Sequence, residues 1–195
     1  MTLLHKFRLS FNAPVVLSFA LACLFILLGD KLTAGFLTQH FFSVYRSSLL
    51  DPLTYVRFVG HVLGHANWQH LFNNMMLFLV IGPILEEKYG SANLFWVIVI
   101  TALVTGIINF ALLPQTQLLG ASGVDFALIL LASMTGLKEG EIPLTFVLVA
   151  LIYLGQQVFD GLFVQDNVSN FTHIIGGLVG SALGYSLNKN KINHY

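Results

Sequence analysis

Charge is what this sequence has least of. Only 9% of its 195 residues are Asp, Glu, Lys or Arg, and the nine basic residues balance the nine acidic ones. A chain with no basic excess has little to offer a nucleic-acid backbone, and one with so few ionised groups cannot clothe a soluble surface. Cysteine is nearly missing as well. Cys23 alone allows no intramolecular disulfide, and its place in an apolar run predicts a packed thiol rather than a ligand. Alternating polar and apolar stretches are also absent, which argues against a β-barrel. What remains is apolar: 56% of residues are hydrophobic and the mean hydropathy is +0.79. An all-α polytopic membrane protein is the expected class.

Six apolar runs read as spans, at 14–28, 69–85, 94–113, 121–134, 142–158 and 168–187, the fourth short for a full crossing. Lys6, Arg8, Lys88, Lys138, Lys189 and Lys191 then fall on one side, predicted to be cytoplasmic together with both termini. The opposite side keeps Lys31, Arg46 and Arg57, all in the connection 29–68; the outer connections 114–119 and 160–167 carry no Lys or Arg. No small-residue cleavage pattern follows the first run, so a retained helix is expected there. The connection 29–68 is long and rich in Phe, Tyr, Leu and Val, which predicts short amphipathic helices at the outer interface of a cell membrane, bacterial inner or plasma. With no internal repeat or linker, residues 1–195 read as one domain in contact with the lipid bilayer.

Against this background a few polar residues stand out. Ser122 lies in Gly120-Ala121-Ser122-Gly123 at the head of the fourth run, and His173 lies near the head of the sixth. His70 and Asn74, at i and i+4, occupy the first turns of the second run. With about 1.5 Å of rise per residue, all four arrive at one outer layer. Ionisable side chains are costly in lipid, so the cluster is a candidate functional site. Gly176, Gly180 and Gly184 form a small-residue ridge, and Gly123 and Ala127 a small face opposite. The ridge alone is explained by ordinary helix packing. Ridge, serine, histidine and shared depth together predict a serine nucleophile with His173 as its base. His70, Asn74 and the Ser122 N–H are candidate oxyanion donors. The alternatives are an interhelical hydrogen bond for Asn74 and contact with interfacial water for His70. His61 and His65, also at i and i+4, raise a metal site, but no carboxylate or cysteine completes one; a hydrogen-bonding anchor for the first connection is favoured and no metal is expected. Glu86, Glu87 and Lys88 read as a solvated helix end.

Three motifs carry a resemblance to the rhomboid family of intramembrane serine proteases, spanning about residues 57–185. They are His61-x3-His65-x4-His70-x3-Asn74, Gly120-Ala121-Ser122-Gly123 and His173-x2-Gly176-x3-Gly180. The resemblance implies a rhomboid-like bundle of six helices and a Ser122–His173 dyad without an acidic third member. It implies no cofactor and no metal, with the transmembrane segment of another protein as substrate. It also implies that the fifth span and the loop after it move aside to admit that substrate. The family commonly has a tyrosine packed on the catalytic histidine where this chain has Phe126, and a Trp-Arg pair where it has Tyr45-Arg46. Asp125 replaces an expected apolar residue. It reads as a locally hydrogen-bonded side chain, as a third member orienting His173, or as a change that impairs the enzyme. The rival reading is accordingly a rhomboid-like protein that binds transmembrane helices without cutting them. A transporter would need polar residues across the bilayer, and the inner halves of these runs are apolar.

Overall fold

The computed structural model describes residues 10–136, 141–163 and 170–192. Lys6, Arg8 and Lys138 of the orientation argument, the side chain of Lys191, residues 164–167 of the last connection and 168–169 of the sixth run lie outside the described residues and side chains. The chain is built of α1 (Pro14–Leu32), α2 (Phe36–Phe41), α3 (Pro52–Gly60), a 3-10 turn (His61–Leu63), α4 (Trp68–Tyr89), α5 (Ser91–Leu112), α6 (Ser122–Ser133), α7 (Leu144–Phe163) and α8 (Asn170–Ile192). Among the described residues there is no strand; Val44 and Leu118 form an isolated antiparallel bridge. By length and composition, α1 and α5 are long and apolar enough to cross a membrane. Phe72, Met76, Val80 and Ile84 recur every turn on one face of α4, and all are 60–66% exposed. A face of that kind belongs against lipid rather than water.

Most helices overrun the apolar runs that predict them, because charged residues continue a helix where they would end a hydrophobic stretch. The end of α4 shows why. Glu86 is not solvated as its sequence neighbourhood predicts. It is buried, and its carboxylate accepts from the backbone N–H groups of Val15 and Val16, each at 3.0 Å, and from Ser91 Oγ at 2.7 Å. The first N–H groups of a helix have no partner within it, and a negative charge there is favoured. Glu86 thus caps α1 from a distance of some seventy residues in sequence, in a helix that Pro14 opens. Glu87 is exposed, whereas Lys88 donates to the carbonyl of Thr135 beyond the end of α6.

The segment 29–68 folds as α2, α3 and the 3-10 turn around one guanidinium. Arg57 is buried, pairs with Asp51 at 2.6 Å, and donates to the His40 carbonyl at 3.0 Å and to Thr54 Oγ1 at 3.1 Å. Asp51 caps α3 through Leu53 N–H. The Arg57 hydrogen bond, followed by that N–H, holds its carboxyl below the usual range.

At the centre is α6. Gly123, Val124, Asp125 and the run from Ala127 to Leu131 are all buried, and α4, α5, α7 and α8 pack around it. Twelve residues suffice because the helix lies inside the bundle. Its tightest neighbour is α8. A side chain on Gly176 would strike the Gly123 carbonyl oxygen, and one on Gly180 would strike the Ala127 carbonyl oxygen. Further along, a Cβ on Gly184 would crowd Met134 Sδ at 3.1 Å and Leu131 Cδ1 at 3.2 Å, both toward the ends of flexible side chains, and would meet Met134 Cβ at an ordinary 3.5 Å. Gly180→Ala is therefore expected to destabilise by about 1–3 kcal/mol, read as a lowered thermal midpoint in detergent. Gly184→Ala should stay within about 1 kcal/mol of wild type, since alanine's helix propensity offsets the mild crowding. Equal effects would show that backbone contact does not set the spacing of α6 and α8.

Candidate active site

Ser122 is the first residue of α6, with Ala121 as N-cap. The N–H groups of that first turn lack carbonyl partners inside the helix, so the Ser122 amide faces outward from a positive helix end. The approach to it is controlled by Gly120. Its φ of +111° lies where L-residues are rarely found, and a Cβ there would collide with the His70 ring and crowd the Asn74 amide. Its N–H donates to the His61 carbonyl at 2.9 Å. The His61 ring donates through Nε2 to the Ala102 carbonyl at 3.0 Å, fixing the 3-10 turn to α5.

His173, in the first turns of α8, meets Ser122 across the α6–α8 contact. Its Nε2 is 2.8 Å from Ser122 Oγ. Phe126, one turn beyond Ser122, stacks on the imidazole with centroids 4.6 Å apart and planes 14° from parallel. Tyr153 of α7 packs edge-on against Phe126 at 5.5 Å. On the far side of the ring, Nδ1 is 2.7 Å from Gln157 Oε1, also on α7.

His70, Asn73, Asn74, Gln117, Ser122 and His173 line a cavity of about 560 Å³. The cluster read from the second, fourth and sixth runs is thus gathered around one polar space. The Asn74 amide donates to His65 Nε2 at 3.0 Å, and the His65 Nδ1–H donates to the Leu63 carbonyl at 3.2 Å. An amide carries two N–H bonds, so one remains for the cavity that Asn74 lines. The rings of His65 and His70 meet edge to face at 5.0 Å. His61 and His65 therefore turn to separate hydrogen-bond partners, and among the described residues no three His, Cys, Asp or Glu gather as a metal site.

Asp125 is buried in α6, three residues after Ser122. Its Oδ1 has no hydrogen-bond partner among the described residues. Gln157, not Asp125, meets His173 Nδ1. Gln157 is not among the candidates that the motifs single out, although an amide within an apolar run is a usable signal. What the sequence lacks is which of Gln156 and Gln157 turns inward; Gln157 is buried and Gln156 exposed. The Tyr45-Arg46 pair also resolves differently. Arg57 lies over the Tyr45 ring at 4.8 Å, while Arg46 donates to the Phe110 carbonyl at 2.8 Å.

The family model described as the Rhomboid domain matches residues 52–190. The chain is 25% identical to Rhomboid-like protein 11, chloroplastic, of Arabidopsis thaliana over 173 residues, covering 79% of this chain and 61% of that protein. It is 28% identical to Rhomboid-related protein 2 of Mus musculus over 160 residues, 71% of this chain and 53% of that protein. It is also 28% identical to the Rhomboid protease GlpG of Pectobacterium atrosepticum over 141 residues, 70% of this chain and 50% of that protein. The chain spans between half and three fifths of the length of these curated relatives.

The two anchoring histidines generate a pH dependence. Burial holds His61 at about 4 against an ordinary 6.5. Burial, with repulsion from His70, holds His65 at about 4 as well. The unfolded chain takes up these protons near 6.5 and the native state only near 4. The stability this confers is complete above 6.5 and is lost as pH falls toward 4. The thermal midpoint in detergent is expected to drop between about pH 7 and about pH 4.5, and His61→Asn to flatten the slope. A midpoint constant over that interval would show that these rings do not hold the native loop.

Proposed function

The chain belongs to the rhomboid family, and on that premise we propose that it is an intramembrane serine endopeptidase cutting in or near the transmembrane segments of other membrane proteins. The observation that carries this reading is the 2.8 Å contact between Ser122 Oγ and His173 Nε2 at the wall of a polar cavity. A serine hydroxyl is a poor nucleophile until a base takes its proton, and this geometry supplies the base. In the reaction, the Ser122 proton passes to His173 Nε2 as Oγ bonds to the scissile carbonyl carbon. The negative charge that develops on the carbonyl oxygen is met by the Ser122 N–H, the remaining Asn74 amide hydrogen and the His70 ring. His173 then returns the proton to the departing amine, leaving an acyl-serine. A water from the cavity, deprotonated by the same ring, hydrolyses that ester. On this reading the chain has six spans in one domain, and the distribution of Lys and Arg supports both termini in the cytoplasm and Ser122 near the outer face.

A second reading has one specific observation in its favour. The carboxyl of Asp125, without a partner at Oδ1 in the core beside the nucleophile, is the kind of buried polar group expected to strain the helix that presents Ser122. On that reading the protein binds transmembrane helices and does not cut them.

Cleavage of a transmembrane substrate by purified protein in detergent separates the two. Wild type is expected to cut, and Ser122→Ala and His173→Ala to lose at least about 10³-fold in rate. Asn74→Ala and His70→Ala should each lose about 10²-fold, mainly in kcat. A silent wild type that becomes active as Asp125→Val would mean a working site hindered by the carboxyl. Silence of both, with no fluorophosphonate labelling of Ser122, would favour the binding reading.

A further inference from the structure

A neutral imidazole carries one proton and two nitrogens. For His173 to accept from Ser122, its Nε2 must be bare, so the proton must sit on Nδ1. A buried N–H left without an acceptor costs as much as a lost hydrogen bond, so the tautomer needed for chemistry forms only where something accepts from Nδ1. The group at that position is Gln157 Oε1, at 2.7 Å. Gln157 is 6% exposed, and it projects from a helix that is apolar over most of its length. A polar side chain so placed carries a desolvation cost that only a made hydrogen bond offsets.

We infer that Gln157 is a positioning residue for His173, acting as a neutral third member that selects the Nδ1–H tautomer. This rests on the reading of His173 as the base. The amide suits the site physically. A carboxylate at the same point would bind the imidazolium more strongly, but it would carry a charge among apolar helices in the resting state. An amide oxygen accepts the same hydrogen bond and stays neutral throughout. One turn earlier on the same face of α7, Tyr153 packs on Phe126, which in turn stacks on the imidazole. The ring is therefore fixed at its edge by Gln157 and at its face by Phe126, and α7 stands behind both contacts. Ser122 comes from α6, His173 from α8 and the orienting group from α7, so seating α7 and orienting the base are one event.

The test is ¹⁵N NMR of histidine-labelled protein in detergent, with the His173 signals assigned by their loss in His173→Asn. It is paired with steady-state cleavage of a transmembrane substrate. In wild type, Nδ1 is expected to be protonated and Nε2 bare. Gln157→Leu, similar in size but without an acceptor, should shift the ring toward the Nε2–H form and lower kcat about 10- to 100-fold with KM within about threefold. Gln157→Glu restores an acceptor and should restore the wild-type tautomer and most of the lost kcat. A wild-type ring protonated at Nε2 overturns the inference without any variant, and so does a Gln157→Leu protein with unchanged tautomer. The tautomer is read whether or not the protein cuts. A Gln157-dependent tautomer in a protein that cleaves nothing, with Asp125→Val equally silent and Ser122 unlabelled by a fluorophosphonate, would sink the protease reading and leave the assignment of Gln157 intact. Cleavage that is indifferent to Gln157 would do the reverse.

Discussion

The contact on which this structure depends is between backbones. Carbonyl oxygens of Gly123 and Ala127 lie against the α-carbons of Gly176 and Gly180, one turn apart on each helix. Between helices in lipid there is little hydrophobic gain to be had, and association rests on close packing and on polar bonds between helices. Glycine is what allows the first. The second follows at once, because the same register that seats Gly176 on Gly123 brings His173 to Ser122, one residue before Gly123. Methyl groups at those two glycines would separate the helices by a fraction of an ångström to an ångström, and a 2.8 Å contact has no slack to absorb that.

The polar groups around this contact are held in short neutral chains. Gly120 donates to the His61 carbonyl while the His61 ring donates to Ala102. Asn74 donates to His65, which donates to Leu63. In each chain a backbone carbonyl takes the last proton, so no side-chain charge is needed to close it. Two buried charges outside the site, Arg57 and Glu86, are arranged on a different principle. Arg57 finds a carboxylate, carbonyls and hydroxyls, and Glu86 finds a helix N-terminus. Both sit where the chain turns rather than in mid-helix, where neither water nor free backbone groups would compensate them.

Much of this was legible because it is periodic or local. Apolar runs foretold the helices, the glycine spacing foretold the α6–α8 seam, and the order of Ser122, His173, His70 and Asn74 along their runs foretold that they meet. The remainder depends on azimuth and on pairs far apart in sequence. A run hydrophobic on all sides does not say which side faces in, so Gln157 could not be told from Gln156. Asn74 reads from its position as an oxyanion donor or as an interhelical hydrogen-bond partner, but its bond to His65 depends on how the 3-10 turn folds back. Glu86 looks like a solvated helix end because its sequence neighbours read as one; its backbone partners are Val15 and Val16 at the start of α1, three helices earlier. Tyr45 meets a guanidinium, but that of Arg57 rather than its neighbour Arg46, because α3 carries Arg57 back across the loop.

Asp125 and Gln157 show how differently one requirement can be met within a single site. Each places a side chain with an acceptor oxygen inside an apolar bundle. Gln157 is matched to the imidazole of His173, so its desolvation is offset by a made hydrogen bond; on the proposed reading that bond also selects the reactive form of the base. Asp125 leaves one oxygen unmatched among the described residues, on a helix face that does not reach the imidazole. A motion of α7 to admit substrate would therefore not be neutral for the chemistry. Displacing α7 at the level of Gln157 strips the His173 ring of its acceptor and of the support behind Phe126. Bending α7 elsewhere along its length leaves both in place. Substrate admission and a competent base are compatible only if the part of α7 carrying Tyr153 and Gln157 stays docked on α6 and α8, or returns to them before the hydroxyl attacks.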